Sequence, residues 1–190
     1  MSVICIIPAR GGSKRLHKKN IRKICGKPMI QWSIEACLKS ELVDNSNLYV
    51  STEDDEIIDL CKSISINTIR RPIELSADNI WTQDVLKHAV SSIGNIEEKD
   101  IIVRVQANSP QIEPEKIDEC IRKLIDSNLW EVFSVNLDGI EDAAIHVMRS
   151  WCVNQDALSV YKGVVLTDYI DIHTEEDLAL VEKIMGKDTE

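Results

Sequence analysis

Short apolar runs alternating with amphipathic stretches divide this chain of 190 residues. Residues 3–7, Val-Ile-Cys-Ile-Ile, are long enough for a buried strand and too short for a buried helix. Pro28 suits a first helical position, and Ile30, Ile34, Cys37 and Leu38 then recur at helical spacing. Residues 47–51 read as a second strand. Thr52 is placed to cap a helix with the stripe Ile57, Ile58 and Cys61. Glu53, Asp54 and Asp55 fall in its first turn, where the helix dipole favours acids, so they read as a capped, solvated helix start. A third strand over 67–71 is ended by Pro72, and Val85, Leu86, Ala89, Val90 and Ile93 draw one face of a helix starting near Thr82. Residues 101–106 are β-branched and read as a central strand. Pro114 opens a helix with Ile117, Ile121, Leu124 and Ile125 inward, and 132–135 returns as a strand. This β-α-β-α-β-α-β-α-β order predicts an α/β fold with a mainly parallel sheet covered on both faces. Residues 136–168 carry no readable period. After them, Thr174 with Asp177 forms a capping-box pattern for a last helix with Leu178, Val181 and Ile184 inward.

The length fits a single domain over 1–190, and 44% hydrophobic with 28% charged residues is a globular balance. No apolar run approaches the roughly 18–20 residues of a membrane span, and no signal-peptide pattern opens the chain, so a cytoplasmic protein is expected. The six cysteines are scattered without a CxxC pair and read as reduced packing residues rather than a zinc site. Net charge is −10, yet residues 7–27 carry eight Lys/Arg and no acid. The other 14 basic residues face 32 acids, which excludes an extended nucleic-acid footprint.

The concentrated charge follows a buried strand and a Gly11-Gly12-Ser13 turn whose backbone is free to take φ > 0 and approach a ligand closely. Consecutive loop N–H groups converge on phosphate oxygens without side-chain entropy, and Arg10, Lys14 and Lys19 add full charges around such a cradle. The stretch is neither a P-loop nor a GxGxxG turn. Charge alone fits a solvated basic loop or a nucleic-acid patch equally well; Gly-Gly directly after the strand favours the phosphate cradle. In an open α/β sheet, ligands sit beyond the carboxyl ends of strands, so Arg10 and Gln106 should face one crevice. Arg71 reads by itself as a surface arginine. His146 and Trp151 read as core or interface packing ahead of lining a sugar site.

The run Ile7-Pro8-Ala9-Arg10-Gly11-Gly12-Ser13-Lys14, with Lys19-Asn20-Ile21 and Gly26-Lys27-Pro28, resembles the opening signature of the sugar cytidylyltransferases, and within them the acylneuraminate cytidylyltransferases. Residues 71–78, Arg-Pro-Ile-Glu-Leu-Ser-Ala-Asp, resemble the RPxELxxD segment that lies near the nucleotide in that family. The resemblance implies a three-layer Rossmann-like nucleotidyltransferase fold with a mixed sheet. It implies transfer of CMP from CTP to an acidic sugar of the nonulosonic or 3-deoxy-2-ulosonic type, with Mg²⁺ and a homodimer. By the same resemblance Arg10, Lys14 and Lys19 are the catalytic cations, Ala9, Gly11, Gly12, Ser13, Asn20, Arg71 and Gln106 contact nucleotide or substrate, and Asp171 binds metal.

Three departures accompany it. Asn108, within Gln-Ala-Asn-Ser-Pro, stands where the 3-deoxy-manno-octulosonate relatives place a metal-binding Asp, and a neutral amide is a poorer Mg²⁺ ligand. His173 replaces the second Asp of the family's Ile-Asp-Ile-Asp-Thr; it suits a softer metal, a metal-bound water, or an ordinary helix approach. Residues 136–168 are shorter than the insertion that, in the relatives, reaches across a dimer and supplies arginines for the acidic sugar, and they keep only Arg149. A nucleotidyltransferase for another sugar or nucleotide, and a non-catalytic nucleotide-binding relative, stay open as alternatives.

Overall fold

The computed structural model describes residues 1–156 and 159–187. Strand β1 (Val3–Pro8) leads through a long loop into a hairpin of β2 (Lys23–Ile24) and β3 (Lys27–Pro28), followed by α1 (Met29–Lys39). The hairpin turns at Cys25 (φ 47°) and Gly26 (φ 86°), the paired positive values that a two-residue turn needs. Then come β4 (Leu48–Thr52), α2 (Asp55–Ser63), β5 (Asn67–Arg70), α3 (Thr82–Ile93), β6 (Ile101–Val105) and α4 (Pro114–Asp126). The chain continues through β7 (Glu131–Val135), β8 (Glu141–Arg149), β9 (Lys162–Leu166) and α5 (Glu175–Lys187).

The seven main strands lie in the order β5-β4-β1-β6-β8-β7-β9. All pairings are parallel except those of β8 with β6 and β7. Alternate residues of β1 explain the layers. Cys5 and Ile7 face the cluster formed with Ile34, Ile57 and Ile121 of α1, α2 and α4. Ile4 and Ile6 face Leu86 and Ala89 of α3 on the other side. Both faces of the strand are therefore buried, which produces its continuous apolar run. Each fully buried Ile contributes roughly 1.5–3 kcal/mol through the water it sheds. A third cluster holds Leu16, Ile24 and Met29 against Ile172, Leu178 and Val181, so α5 fastens the basic loop and its hairpin to the domain.

From β1 the chain moves to β4 and β5 on one side and to β6 on the other, so the sheet reverses its winding between β1 and β6. A ligand crevice is expected there, beyond the strands' carboxyl ends.

Several local expectations are corrected. Asp54, not Thr52, caps α2: its Oδ1 accepts from Ile57 N at 3.1 Å, while Thr52 Oγ1 accepts from Asp54 N. Glu53 precedes the helix and turns inward instead of entering the first turn. Ile125 and Ile184 sit at the margins of their helix stripes and stay exposed. Cys25 is exposed in the hairpin turn; the other five cysteines are buried, and all six are free. Gly11 and Gly12 do not take positive φ. Gly11 is required for another reason, since a Cβ there would meet the Asp54 carboxylate 2.0 Å away. The period of 136–168 is hidden because β8 runs antiparallel between two buried neighbours and slips register between Phe133 and Val135. Within that segment, residues 157–158 lie outside the described residues.

Candidate active site

A cleft of about 240 Å³ opens at the reversal point. Arg10 follows β1, Gln106 and Asn108 follow β6, Lys19 and Asn20 come from the basic loop, Arg71 follows β5, and His173 precedes α5. The two strand ends carrying Arg10 and Gln106 thus face one crevice.

Lys19 is fixed by a backbone carbonyl. Its Nζ donates to Ile172 O at 3.0 Å, and burial lowers its pKa from 10.5 to about 8, with nearby Asp171 opposing the shift. The amide Nδ2 of Asn108 donates to Asp171 Oδ1 and, at 2.9 Å, to Ile172 O. His173 Nε2 meets Asp171 Oδ2 at 2.8 Å. Residues more than sixty positions apart therefore converge on one carboxylate. The capping box below them is formed: His173 N and Thr174 N donate to Asp177 Oδ2 at 2.8 Å, and Asp177 N donates to Thr174 Oγ1.

Arg10 and Lys14 share an internal anion. Arg10 Nη1 lies 2.6 Å from Asp78 Oδ1, and Lys14 pairs with Asp78 Oδ2. The bonds from Lys14 and then Arg10 hold the Asp78 carboxyl below its ordinary pKa. Lys14 is otherwise extended into solvent, and neither Gly12 nor Ser13 lines the cleft. Ala9 is buried behind it, its N–H bonded to Ser51 O. Asn20 donates Nδ2 to Arg10 O at 2.9 Å, while its buried Oδ1 has no partner among the described residues. An orphaned buried acceptor beside a cleft is a place where a ligand or ordered water would bond.

The reading of Arg71 as a surface residue is corrected: it is 4% exposed and clasped by Glu53. Glu53 is the residue that sequence reasoning missed. One carboxylate oxygen accepts from Gly11 N at 2.8 Å, and the other from Arg71 Nε and Ser76 Oγ. Burial works against its ionisation, but the Ser76 and Gly11 bonds, its own backbone N–H and the Arg71 charge together hold its pKa below the ordinary value. This one carboxylate fixes the glycine turn and the Arg-Pro segment together. Its only signal was a place in an acidic triplet that reads equally well as a helix start.

Most of the basic stretch is matched elsewhere in the fold. Lys18 pairs with Glu56, Lys27 with Glu35, and Arg22 forks onto Glu175 at 2.5 and 2.7 Å. A second, wider cavity lies beside the cleft and shares Thr82 and Gln106 with it.

Residues 4–147 match the family model described as Cytidylyltransferase. The chain belongs to that family. Among its relatives is the N-acylneuraminate cytidylyltransferase of Streptococcus agalactiae serotype III (strain NEM316), 38% identical over 110 residues, covering 58% of this chain and 26% of that protein. The 3-deoxy-manno-octulosonate cytidylyltransferase of Syntrophus aciditrophicus (strain SB) is 38% identical over 122 residues, covering 64% of this chain and 46% of that protein. The chain thus spans about a quarter to a half of the length of these two relatives. In fold it resembles a CMP:2-keto-3-deoxy-manno-octonic acid synthetase complexed with CTP, at TM-score 0.79 and 18% identity, covering 99% of this chain and 100% of that one.

Arg10, Lys19 and Arg71 line the cleft at the sheet's reversal point, and Lys14 does not. Among the described residues no group of three or more His, Cys, Asp or Glu is placed to hold a metal ion. Asp78 is the carboxylate that lines the cleft; Asp171 does not line it but bonds Asn108 and His173, a neutral amide and an imidazole that do. Mg²⁺ is commonly held by one or two carboxylates together with substrate phosphates and water. The donor set therefore fits an ion that arrives with a triphosphate, not a cage made by protein alone.

Proposed function

We propose that this chain transfers CMP from CTP to the hydroxyl of an acidic sugar, releasing pyrophosphate. The observation that carries this reading is the meeting of Arg10, Lys19 and Asn108 at the carboxyl ends of β1 and β6, with Asn108 bonded to the Asp171 carboxylate, in a chain of this family. Attack at the α-phosphorus is slowed by the anionic oxygens around it, so the protein has mainly to align the reactants and neutralise charge.

Each residue has a part in that task. Arg10 and Lys14 release Asp78 and take the β- and γ-phosphates, balancing charge as pyrophosphate leaves. Lys19, held by Ile172 O, presents a fixed cation to the phosphate chain. Loop N–H groups of Gly12 and Ser13 would cap phosphate oxygens, with Gly11 N–H held by Glu53 and Ala9 behind them. Asn20 and Arg71 set the nucleotide wall, and Gln106 orients the acceptor. Asp171 would hold Mg²⁺ with the phosphates, and the ion would offset their charge. Asn108 and His173 keep the Asp171 carboxylate in place through its two oxygens.

A homodimer belongs to the same reading. It is supported by the exposed Val160, Tyr161, Val164 and Leu166 along and beside the edge strand β9. A cytoplasmic location is supported by six free cysteines. No helix among the described residues is long and apolar enough to cross a membrane.

The test is pyrophosphate release from CTP with Mg²⁺ across a panel of 3-deoxy-2-ulosonic acids, with Asp171→Ala as control. Release with one acid, lost in the control, is the expected result. CTP binding indifferent to Mg²⁺, with no release for any sugar or triphosphate, would favour a non-catalytic relative.

A further inference from the structure

The cavity beside the cleft holds about 540 Å³ and is bounded in part by Trp81, Arg104, Phe133, Glu141, His146 and Lys162. Arg104 is its unusual member. Strand β6 reads Ile-Ile-Val-Arg-Val, so one full charge sits in the middle of a central strand, with the residue only 6% exposed. Buried guanidinium groups are costly unless their donors are filled. Nη1 donates to Ala143 O at 3.0 Å and to Gln106 Oε1 at 3.4 Å. Nη2 has only the half-exposed Glu141 carboxylate, 3.9 Å away, and Nε has no hydrogen-bond partner among the described residues.

The surrounding sheet is shaped to this side chain. Register slips between β7 and β8 next to Ala143, which takes φ 59°, a region non-glycine residues avoid. The slip leaves the Ala143 carbonyl on Arg104. Such bulges re-aim groups beside functional sites. Of the other charges facing the cavity, Lys162 lies 5.3 Å from the Phe133 ring centroid without an ion pair among the described residues, and two of the acids are matched. Glu131 bonds His146 and Ser159, and Asp156 lies 3.4 Å from Lys87. Phe133 stacks on His146 at 4.1 Å between centroids, giving the cavity a flat aromatic wall.

We propose that Arg104 is the carboxylate anchor for the acidic acceptor, which occupies this cavity. The assignment rests on reading the adjoining cleft as the place of CMP transfer. In a 3-deoxy-2-ulosonic acid the carboxylate is bonded to the carbon that bears the reacting hydroxyl. An anchor must therefore stand next to the transfer point, and Gln106 supplies that continuity: it lines both cavities and accepts from Arg104. Nε and Nη2 form the fork that a carboxylate fills with two parallel bonds, displacing the long contact to Glu141. A lysine would bring charge without the fork.

The probes are N-acetylneuraminate and 3-deoxy-manno-octulosonate, each beside its 1-carboxamide. They are measured on the full chain by pyrophosphate release and, without turnover, by saturation-transfer NMR. Arg104→Gln is expected to raise KM for the acid about 10- to 100-fold, as loss of a charge-assisted pair implies, with KM for CTP within about twofold. The acid should also lose its advantage over the carboxamide, and Arg104→Lys should restore part of it. Glu141→Gln removes the competing carboxylate and is expected to tighten acid binding about threefold, a readout that stands if thermal unfolding shows the Arg104 variants misfolded. An acid preference that survives Arg104→Gln in a folded protein overturns the assignment. So does an equal rise in KM for CTP, or unchanged acid binding in Glu141→Gln. If no pyrophosphate appears but NMR finds an acid preference lost in Arg104→Gln, the anchor stands and the transfer reading falls.

Discussion

The two neighbouring cavities keep their positive charge in opposite ways. In the narrower cleft, Arg10 and Lys14 are held by Asp78, and Lys19 by a backbone carbonyl. In the wider one, Arg104 bonds Ala143 O and Gln106 Oε1 through Nη1, but its Nε and Nη2 side has only a distant carboxylate and is left largely unfilled. An anion entering the first must displace an internal acceptor, so its net gain is a difference between two pairings. An anion entering the second fills donors that lack partners, and there the penalty of the empty state is already present. The same basic chemistry thus serves exchange in one place and filling in the other.

The change with the largest expected effect would remove the carboxylate that Asn108 and His173 hold beside the cleft. Asp171→Ala should lower pyrophosphate release by on the order of 10²–10³-fold if its carboxylate holds the ion that offsets phosphate charge. Retained turnover in that variant would move the chemistry out of the cleft. Next comes pH. Burial brings the Lys19 pKa down to about 8, so the side chain is charged below that value and loses its proton as pH rises through it. kcat/KM for CTP, which reports the free enzyme, should fall above about pH 8 by up to tenfold per unit, and Lys19→Arg should move that limb upward. A flat profile to high pH would separate Lys19 from phosphate binding.

Lys14→Ala should lower turnover about tenfold while leaving the unfolding temperature nearly unchanged, because the side chain is 86% exposed and its ion pair with Asp78 is solvent-exposed. Equal activity would remove Lys14 from the mechanism. The smallest change tests the exchange itself. Asp78→Asn frees Arg10 and Lys14 and should tighten CTP about two- to fivefold at low ionic strength, with the gain shrinking as salt screens it. Weaker binding would mean that Asp78 positions the cations instead of competing for them.

How much of this was legible depended on whether the cause was local. Strand 3–7, the Thr82 helix and the Pro114 helix could be read because both sheet faces are buried and the helices carry one apolar side each. The cleft was legible at Arg10, Lys19 and Gln106 through ordered motifs. Glu53 was not, because its partners Gly11, Arg71 and Ser76 are supplied by two segments distant from it in sequence. The basic stretch looked more positive than it is, since Glu56, Glu35 and Glu175 reach it only after folding. Strand β8 was hidden because a register slip breaks the alternation on which strand reading depends. Arg149, the one arginine of 136–168, lies at the far end of β8 and bonds Leu129 O; Arg104, in a run that reads as plain core, faces the cavity. A lone charge inside such a run was the available signal.

The contact of Lys19 with Ile172 spans 153 positions, and α5 closes over the loop that begins with Arg10. A ribosome delivers the first of these segments long before the last. The sheet through β9 can assemble while the loop still lacks its cover, so the nascent chain would hold a nearly finished scaffold with no working centre. Competence would arrive late and abruptly, when residues 169–187 emerge and bring Asp171 to its partners.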